Sequence, residues 1–233
     1  MQTEIPAIVL AGGLGTRLRS VIQDLPKPMA MINGKPFLHY VFLYLTKQNI
    51  TKAILAVGYK SMAIESYFGD KYLDAKIEYS RETEPLGTGG GIKKAFSNVQ
   101  GLAYVINGDT FFDVPLKTLL NFHAETSADI SLALKPMTNF DRYGTVVLDG
   151  SRITSFNEKK QTPAGLINGG VYILDKQMLD SVSLEKFSFE KEVLEKEVNQ
   201  KRLCGIAFDS YFIDIGIPED FAKAQSEFQV LFS

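Results

Sequence analysis

The chain has 233 residues, 45% of them apolar, a length that suits one large domain or two small ones with ample core. Its formal net charge of −2 lacks the basic excess of a nucleic-acid groove, so no nucleic-acid partner is expected. A single cysteine, Cys204, rules out an intrachain disulfide and suits a reducing compartment.

Ala7 to Leu10 reads as a short buried strand that empties into a glycine loop, Gly12-Gly13-Leu14-Gly15, ending on Thr16-Arg17-Leu18. Pro36 precedes a long apolar run from Phe37 to Leu45, predicted as a mostly buried helix. Ala53 to Val57 is a second buried strand closed by Gly58. Ser61 to Phe68 is a helix ending near Gly69, and Lys76 to Tyr79 alternates as a third strand. A second glycine loop, Gly87-Thr88-Gly89-Gly90-Gly91, opens a short helix over Ile92 to Phe96. Ala103 to Ile106 is a fourth strand, running into Asn107-Gly108-Asp109. This alternation predicts a parallel sheet covered on both faces, with ligands beyond the carboxyl ends of its strands.

The second half changes texture. A helix from Leu116 to His123 is followed by a strand over Ile130 to Leu134. Thr145 to Leu148 and Arg152 to Phe156 flank Asp149-Gly150, a strong hairpin signal. Val171 to Leu174 is another strand. Ser188 to Gln200 is a helix with Phe189, Val193, Leu194 and Val198 on one face; its alternating Glu and Lys read as a solvated face. Tyr211 to Asp214 is a late strand, and Pro218-Glu219-Asp220 opens the last helix. The two halves read as lobes of one domain spanning 1–233, with approximate limits 1–128 and 129–233. His39 and His123 are far apart, lack partner cysteines and are expected to be ordinary helix residues rather than zinc ligands. No run approaches the ~20 apolar residues of a membrane span. The first apolar run follows Glu4 and Pro6 rather than a basic region, so no secretory signal is visible and the expected location is the cytoplasm.

The first loop can turn backbone N–H groups toward an anion, with Arg17 and, in Leu25-Pro26-Lys27-Pro28-Met29, Lys27 as cations. It is not a P-loop, because no Gly-Lys-[Ser/Thr] follows. It is a poor dinucleotide fingerprint, because Leu18 stands where a small residue belongs and no acid closes a strand ~20 positions on. No Ser/His or Cys/His constellation suggests a protein nucleophile.

The string Leu10-Ala11-Gly12-Gly13-Leu14-Gly15-Thr16-Arg17-Leu18 with Pro26-Lys27-Pro28-Met29 resembles the signature of the sugar-1-phosphate nucleotidyltransferases. The resemblance continues through Leu86 to Gly90, Asn107-Gly108-Asp109, Tyr143-Gly144, Glu158-Lys159, Asn168-Gly169-Gly170 and Ile213 to Gly216, in the family's order and over nearly the whole chain. It implies an α/β fold: a Rossmann-like mixed, mostly parallel central sheet flanked by helices, GT-A-like, with a smaller β-rich sugar-binding lobe. It also implies a reaction in which a sugar-phosphate oxygen attacks the α-phosphorus of a nucleoside triphosphate in line and pyrophosphate leaves. Both partners are anionic, so catalysis would be positioning and charge neutralisation.

By the same resemblance Arg17 would hold the departing pyrophosphate, Lys27 the α-phosphate side and Lys159 the incoming sugar phosphate. Asp109 and Asp214 would bind Mg²⁺, with Asp113 a weaker competitor. Leu10, Ala11, Gly12, Gly13, Gly15, Thr16, Glu82, Leu86, Gly87, Thr88 and Gly108 would line the nucleotide. Gly144, Glu158 and Asn168 would contact the sugar. Glu82 falls where the base edge is read. A carboxylate only accepts hydrogen bonds, and guanine offers two adjacent donors, so Glu82 favours GTP. Gly91 and Asn157 depart from the family pattern, Gly91 standing where alanine is common.

Asp141 to Val146, Gly165 to Tyr172, Phe187 to Glu190 and Tyr211 to Asp220 look like the D-glycero-α-D-manno-heptose 1-phosphate guanylyltransferases, which implies GTP and that sugar phosphate as partners. The alternatives are a mannose-1-phosphate guanylyltransferase, a transferase using UTP or dTTP, and a non-catalytic nucleotide-sugar sensor. A sensor need keep no metal pair. The chain could be a monomer or a homodimer.

Overall fold

The structure is a computed structural model that describes residues 4–13 and 25–232. Leu14, Gly15, Thr16, Arg17 and Leu18 therefore lie outside the described residues. The fold is built on a ten-stranded sheet. β1 (Ala7–Leu10), β4 (Lys52–Val57), β6 (Ala75–Arg81) and β7 (Leu102–Asn107) are its parallel part, in the order β7-β1-β4-β6, with β5 (Lys71–Tyr72) antiparallel at the edge. α1 (Phe37–Lys47), α2 (Ser61–Phe68) and α3 (Gly87–Ala95) connect these strands.

Side chains along each parallel strand alternate between two cores. Ala7 and Val9 of β1, Leu55 of β4 and Tyr104 of β7 enter one, with Phe37, Phe42 and Phe228. Ile8, Ile54 and Val105 enter the other, with Ile92, Phe96 and Phe189. Both faces are covered, as a parallel sheet requires. Each fully buried Ile or Phe of this kind contributes about 1.5–3 kcal/mol.

Beyond β7 the sheet turns largely antiparallel. β12 (Thr162–Asp175) pairs antiparallel with both β7 and β9 (Ile130–Phe140). β13 (Leu203–Ala207) runs parallel to β9 and joins it to the hairpin of β10 (Thr145–Asp149) and β11 (Arg152–Phe156). The parallel order read from the sequence thus holds through β7-β1-β4-β6 and gives way where chain reversal by hairpin replaces helical crossover. The hairpin forms as expected, with Gly150 at φ +57° in its turn. β12 is far longer than Val171–Leu174, because Asn168-Gly169-Gly170 does not end the strand but bends it. The register with β9 shifts between Asn168 and Tyr172, and Gly170 has φ +74°.

The remaining elements frame the sheet. β2 (Met31–Ile32) and β3 (Lys35–Pro36) form a small hairpin, and β8 (Thr110–Phe112) pairs with β14 (Phe212–Asp214). α4 (Leu116–Thr126) packs near β9, and α5 (Pro218–Leu231) returns to α1, where Phe228 lies 5.8 Å from Phe37 and 4.7 Å from Tyr40 between ring centroids. His39 sits in α1 beside Tyr72, and His123 in α4 bonds Ser131 at 2.9 Å. No helix among the described residues is long and apolar enough to cross a membrane.

Two expectations need correction. The second glycine run is not a loop before a helix at Ile92; α3 begins at Gly87 and carries Gly89, Gly90 and Gly91 inside it. A β-carbon on Gly89 would lie 2.1 Å from the Phe187 ring, and one on Gly90 2.3 Å from the Glu185 carbonyl oxygen. Backbone contact with the 185–187 segment thus replaces the side chains a helix usually presents. The 188–200 helix departs from expectation in its winding rather than in the exposure of its charged face, where Lys191, Glu195 and Lys196 are exposed. Glu190 to Glu195 wind as a π-helix, and three of its charged residues turn to a cleft.

Candidate active site

A cleft of about 640 Å³ opens where β7 and β14 end and the antiparallel half begins. Its acidic corner is built by three distant segments. Pro26 and Pro28 confine a 3₁₀ turn, Lys27–Met29, and leave Lys27 only 8% exposed. Asp109 follows β7 through Gly108, whose N–H bonds the Leu10 carbonyl at 2.9 Å. A β-carbon at Gly108 would lie 2.6 Å from that same oxygen, so only glycine lets the two strand ends meet. Asp214 closes β14, and the Ile215 N–H bonds the Asp109 carbonyl at 3.2 Å. The result is one cation between two carboxylates: Lys27 Nζ donates to Asp109 Oδ2 at 2.7 Å and to Asp214 Oδ1 at 3.3 Å.

Tyr143 OH donates to Asp214 Oδ2 at 3.4 Å. Burial, reinforced by the Asp214 charge, pushes the Tyr143 phenol up, so it remains a neutral donor. Arg142 lies over the Tyr143 ring and pairs with Asp220 at the start of α5. Burial opposes its charge most strongly, but the Asp220 hydrogen bond and the electrostatic pull of Tyr143, Asp220 and Asp214 together outweigh it and hold its guanidinium above the ordinary value. Asp113 is no part of the corner; it pairs with Lys47 at 3.1 Å.

The residues expected to meet the sugar lie on the antiparallel side. Gly144, Glu158, Lys159 and Asn168 all line the cleft. Gly144 is forced by a close approach, since a β-carbon there would be 2.3 Å from the Asn157 carbonyl oxygen. Asn157 Nδ2 donates to Thr145 Oγ1 at 2.9 Å and thereby ties the loop bearing Glu158 and Lys159 to β10. Asn168 is held at both ends: its Oδ1 accepts from Gly170 N–H at 3.0 Å and its Nδ2 donates to Tyr172 OH at 2.8 Å. One N–H and one lone pair remain for a ligand.

The described residues expected to line the nucleotide are not among those that line the cleft. Ala11 N–H bonds the Ala56 carbonyl at 2.8 Å, and Gly12 and Gly13 follow at the strand edge. Glu82 lies in a niche of glycines. Its Oε2 accepts from Leu86 N–H at 2.9 Å, and its Oε1 would lie 3.3 Å from a β-carbon on Gly12 and 2.7 Å from one on Gly91. The glycine at 91 makes room for that carboxylate. The amides of Gly89 and Gly90 donate to the Phe187 carbonyl oxygen, so the chain caps this helix itself. Gly87 has φ +75°, and Thr88 Oγ1 reaches across to Glu190 at 2.7 Å. Gly15, Thr16 and Arg17 fall outside the described residues.

Sequence reasoning missed Glu190, Lys191 and Glu195, which line the cleft. The only available signal was the Phe187-Ser188-Phe189-Glu190 segment, whose apolar residues bury and set the next side chain at the cleft wall.

Strand ends that bring a lysine to two aspartates, beside glycine-lined strand edges, suit a phosphate-handling transferase. The chain belongs to the nucleotidyl transferase family, whose model matches residues 6–229. It is 56% identical over 225 residues to the D-glycero-alpha-D-manno-heptose 1-phosphate guanylyltransferase of Aneurinibacillus thermoaerophilus, covering 96% of this chain and 98% of that one. It is 54% identical to the enzyme of that name from Campylobacter jejuni, over 92% of this chain and 96% of the relative. Among solved structures, HddC from Yersinia pseudotuberculosis complexed with GMP-PN superposes with a TM-score of 0.86 at 38% identity, covering 96% of this chain and 99% of that one.

Proposed function

We propose that this chain joins GTP and D-glycero-α-D-manno-heptose 1-phosphate to give GDP-heptose and pyrophosphate. The observation that carries the reading is the 56% identity, over nearly the full length of both chains, to a protein of that name. The acidic corner and the polar side chains that line the same cleft support it.

Lys27 neutralises charge crowded at the α-phosphate during in-line attack. Lys159, which lines the same cleft, binds the incoming sugar phosphate, and Glu158 and Asn168 bond sugar hydroxyls. Arg17 takes the departing pyrophosphate. Two carboxylates that already share one cation, at 2.7 and 3.3 Å, are a fitting oxygen donor pair for a hard divalent ion. Asp109 and Asp214 would hold Mg²⁺, which supplies charge neutralisation on phosphate oxygens when bound. Glu82, with Oε2 on Leu86 N–H, keeps Oε1 to accept from the guanine edge. A supply of GTP and the free, buried thiol of Cys204 suit a cytoplasmic enzyme.

The test is pyrophosphate release from each of GTP, UTP, dTTP and ATP with heptose 1-phosphate or mannose 1-phosphate. GTP with the heptose phosphate is expected to be fastest. Faster turnover of UTP or dTTP with every sugar phosphate would remove the guanylyl reading, and preference for mannose 1-phosphate would replace the sugar.

A further inference from the structure

The π-helix at the cleft wall carries a carboxylate that the sequence expectations did not use. Glu190 Oε2 accepts two hydroxyl hydrogen bonds, from Thr88 Oγ1 and from Ser188 Oγ, each at 2.7 Å. Neither hydroxyl is free to turn elsewhere. Thr88 Oγ1 accepts from the Phe189 N–H at 2.9 Å, and Ser188 Oγ accepts from the Lys191 N–H at 3.3 Å. Each therefore has its single proton aimed at Glu190. Phe189 is fully buried, 5.3 Å from the Tyr172 ring, so the backbone that starts this network is fixed by packing. No hydrogen bond reaches Glu190 Oε1 from the described residues, and Glu190 lines the cleft.

A carboxylate so held is an acceptor only, and its charge repels phosphate. The part of a ligand that suits it is a neutral hydroxyl donor. The cations assigned to phosphate, Lys27 and Lys159, come from other segments of the cleft, although Lys191 also lines it from this helix. We propose that Glu190 is a sugar-recognition residue, positioned by Thr88 and Ser188, whose carboxylate accepts hydrogen bonds from hydroxyls of the sugar 1-phosphate. The inference rests on the reading that the cleft takes a sugar 1-phosphate. It adds a tie between the two substrates' sites, because Thr88 belongs to the glycine segment on the nucleotide side.

The experiment is steady-state kinetics of the wild-type chain, Glu190→Gln and Glu190→Asp, with GTP and either heptose 1-phosphate or mannose 1-phosphate. Gln keeps an oxygen for Thr88 and Ser188 but removes the charge; Asp keeps the charge and withdraws the oxygens. A charge-assisted hydrogen bond lost at the sugar predicts a rise in KM for the sugar phosphate of about 10- to 100-fold in Glu190→Gln. The KM for GTP should stay within about twofold, and the ratio of kcat/KM between the two sugars should shift. Glu190→Asp should move in the same direction and serves if the Gln variant melts early. An unchanged sugar KM in both variants overturns the assignment, as does a rise confined to the GTP KM. Absence of turnover by the wild-type chain with every pair overturns the underlying function as well, so the two failures are distinct.

Discussion

On one side of β7 the sheet is parallel but for the edge strand β5, and on the other it is mainly antiparallel, and each side builds its share of the site from different material. The parallel side works with backbone. β1 and β7 end together at Leu10 and Gly108, and glycines at 12, 58 and 91 surround Glu82. The antiparallel side works with side chains on long strands, a hairpin and the π-helix: Asn168 and Tyr172 on β12, Glu158 and Lys159 after β11, and Glu190. Parallel strands all deliver their ends to one edge, where main-chain groups can converge on an anion. Antiparallel strands put hairpin tips and bulges around a cavity, where side-chain identity can distinguish one polyol from another. The acidic corner joins the two, with Lys27 and Asp109 from one side and Asp214 from the strand that follows the other.

If this division is correct, substitutions in the corner should act on turnover. Lys27→Ala or Asp109→Asn is expected to lower kcat by about 10²–10³-fold; Asp109→Asn should change the melting temperature little because Asp109 is partly exposed, whereas Lys27→Ala should lower it, because the buried ammonium that separates two carboxylates is lost. Near-normal kcat in either variant would remove that residue from the corner's function.

The next largest effect should separate the halves by stability. Gly108→Ala places a carbon 2.6 Å from a fixed backbone oxygen and is expected to cost about 1–3 kcal/mol, seen as a lower urea midpoint. Gly150→Ala in the hairpin turn meets nothing within 4 Å; it suffers only its φ of +57° and should cost about 1 kcal/mol. Equal losses would mean that the strand-end approach is not tight.

Smaller still is Tyr172→Phe. Burial pushes the Tyr172 hydroxyl far up, so it stays protonated and accepts from Asn168. Removing it frees the Asn168 amide, and KM for the sugar phosphate should rise about fivefold while KM for GTP holds.

The slightest effect is in pH. Burial, partly opposed by the charges of Asp129 and Asp175, holds His123 below its ordinary 6.5. The folded chain keeps this imidazole neutral while the unfolded chain takes up a proton near pH 6.5. Its contribution is therefore fully present above that pH and lost as pH falls toward the lower, folded value. His123→Gln should flatten the decline in urea midpoint between about pH 7 and about pH 5. An unchanged slope would place the acid sensitivity elsewhere.

How much of this was legible follows contact by contact. Phe37 onward, Ser61 to Phe68 and the Asp149-Gly150 hairpin were readable because helix periodicity and turn chemistry act over a few residues. β13 was not, since Leu203 to Ala207 is a short apolar run whose strand character comes from pairing with β9. The start of α3 was hidden because glycines read as loop until a partner segment comes within contact distance of them. Glu190 looked like any charged residue on a helix, and only the packing of Phe189 turns it into a cleft wall.

Local chemistry in the chain was enough for the strand-then-glycine edges, the continuous burial of β1, β4 and β7, and the confined lysine between two prolines. These depend on neighbours a few positions away. The meeting of Lys27 with Asp109 and Asp214, across 82 and 187 residues, was decided by the sheet order and by the pairing of β8 with β14. So was the passage of Thr88 to Glu190 across 102 residues. Such contacts form only when distant strand ends are brought to one edge, and no pattern within a segment records which distant partner it will find.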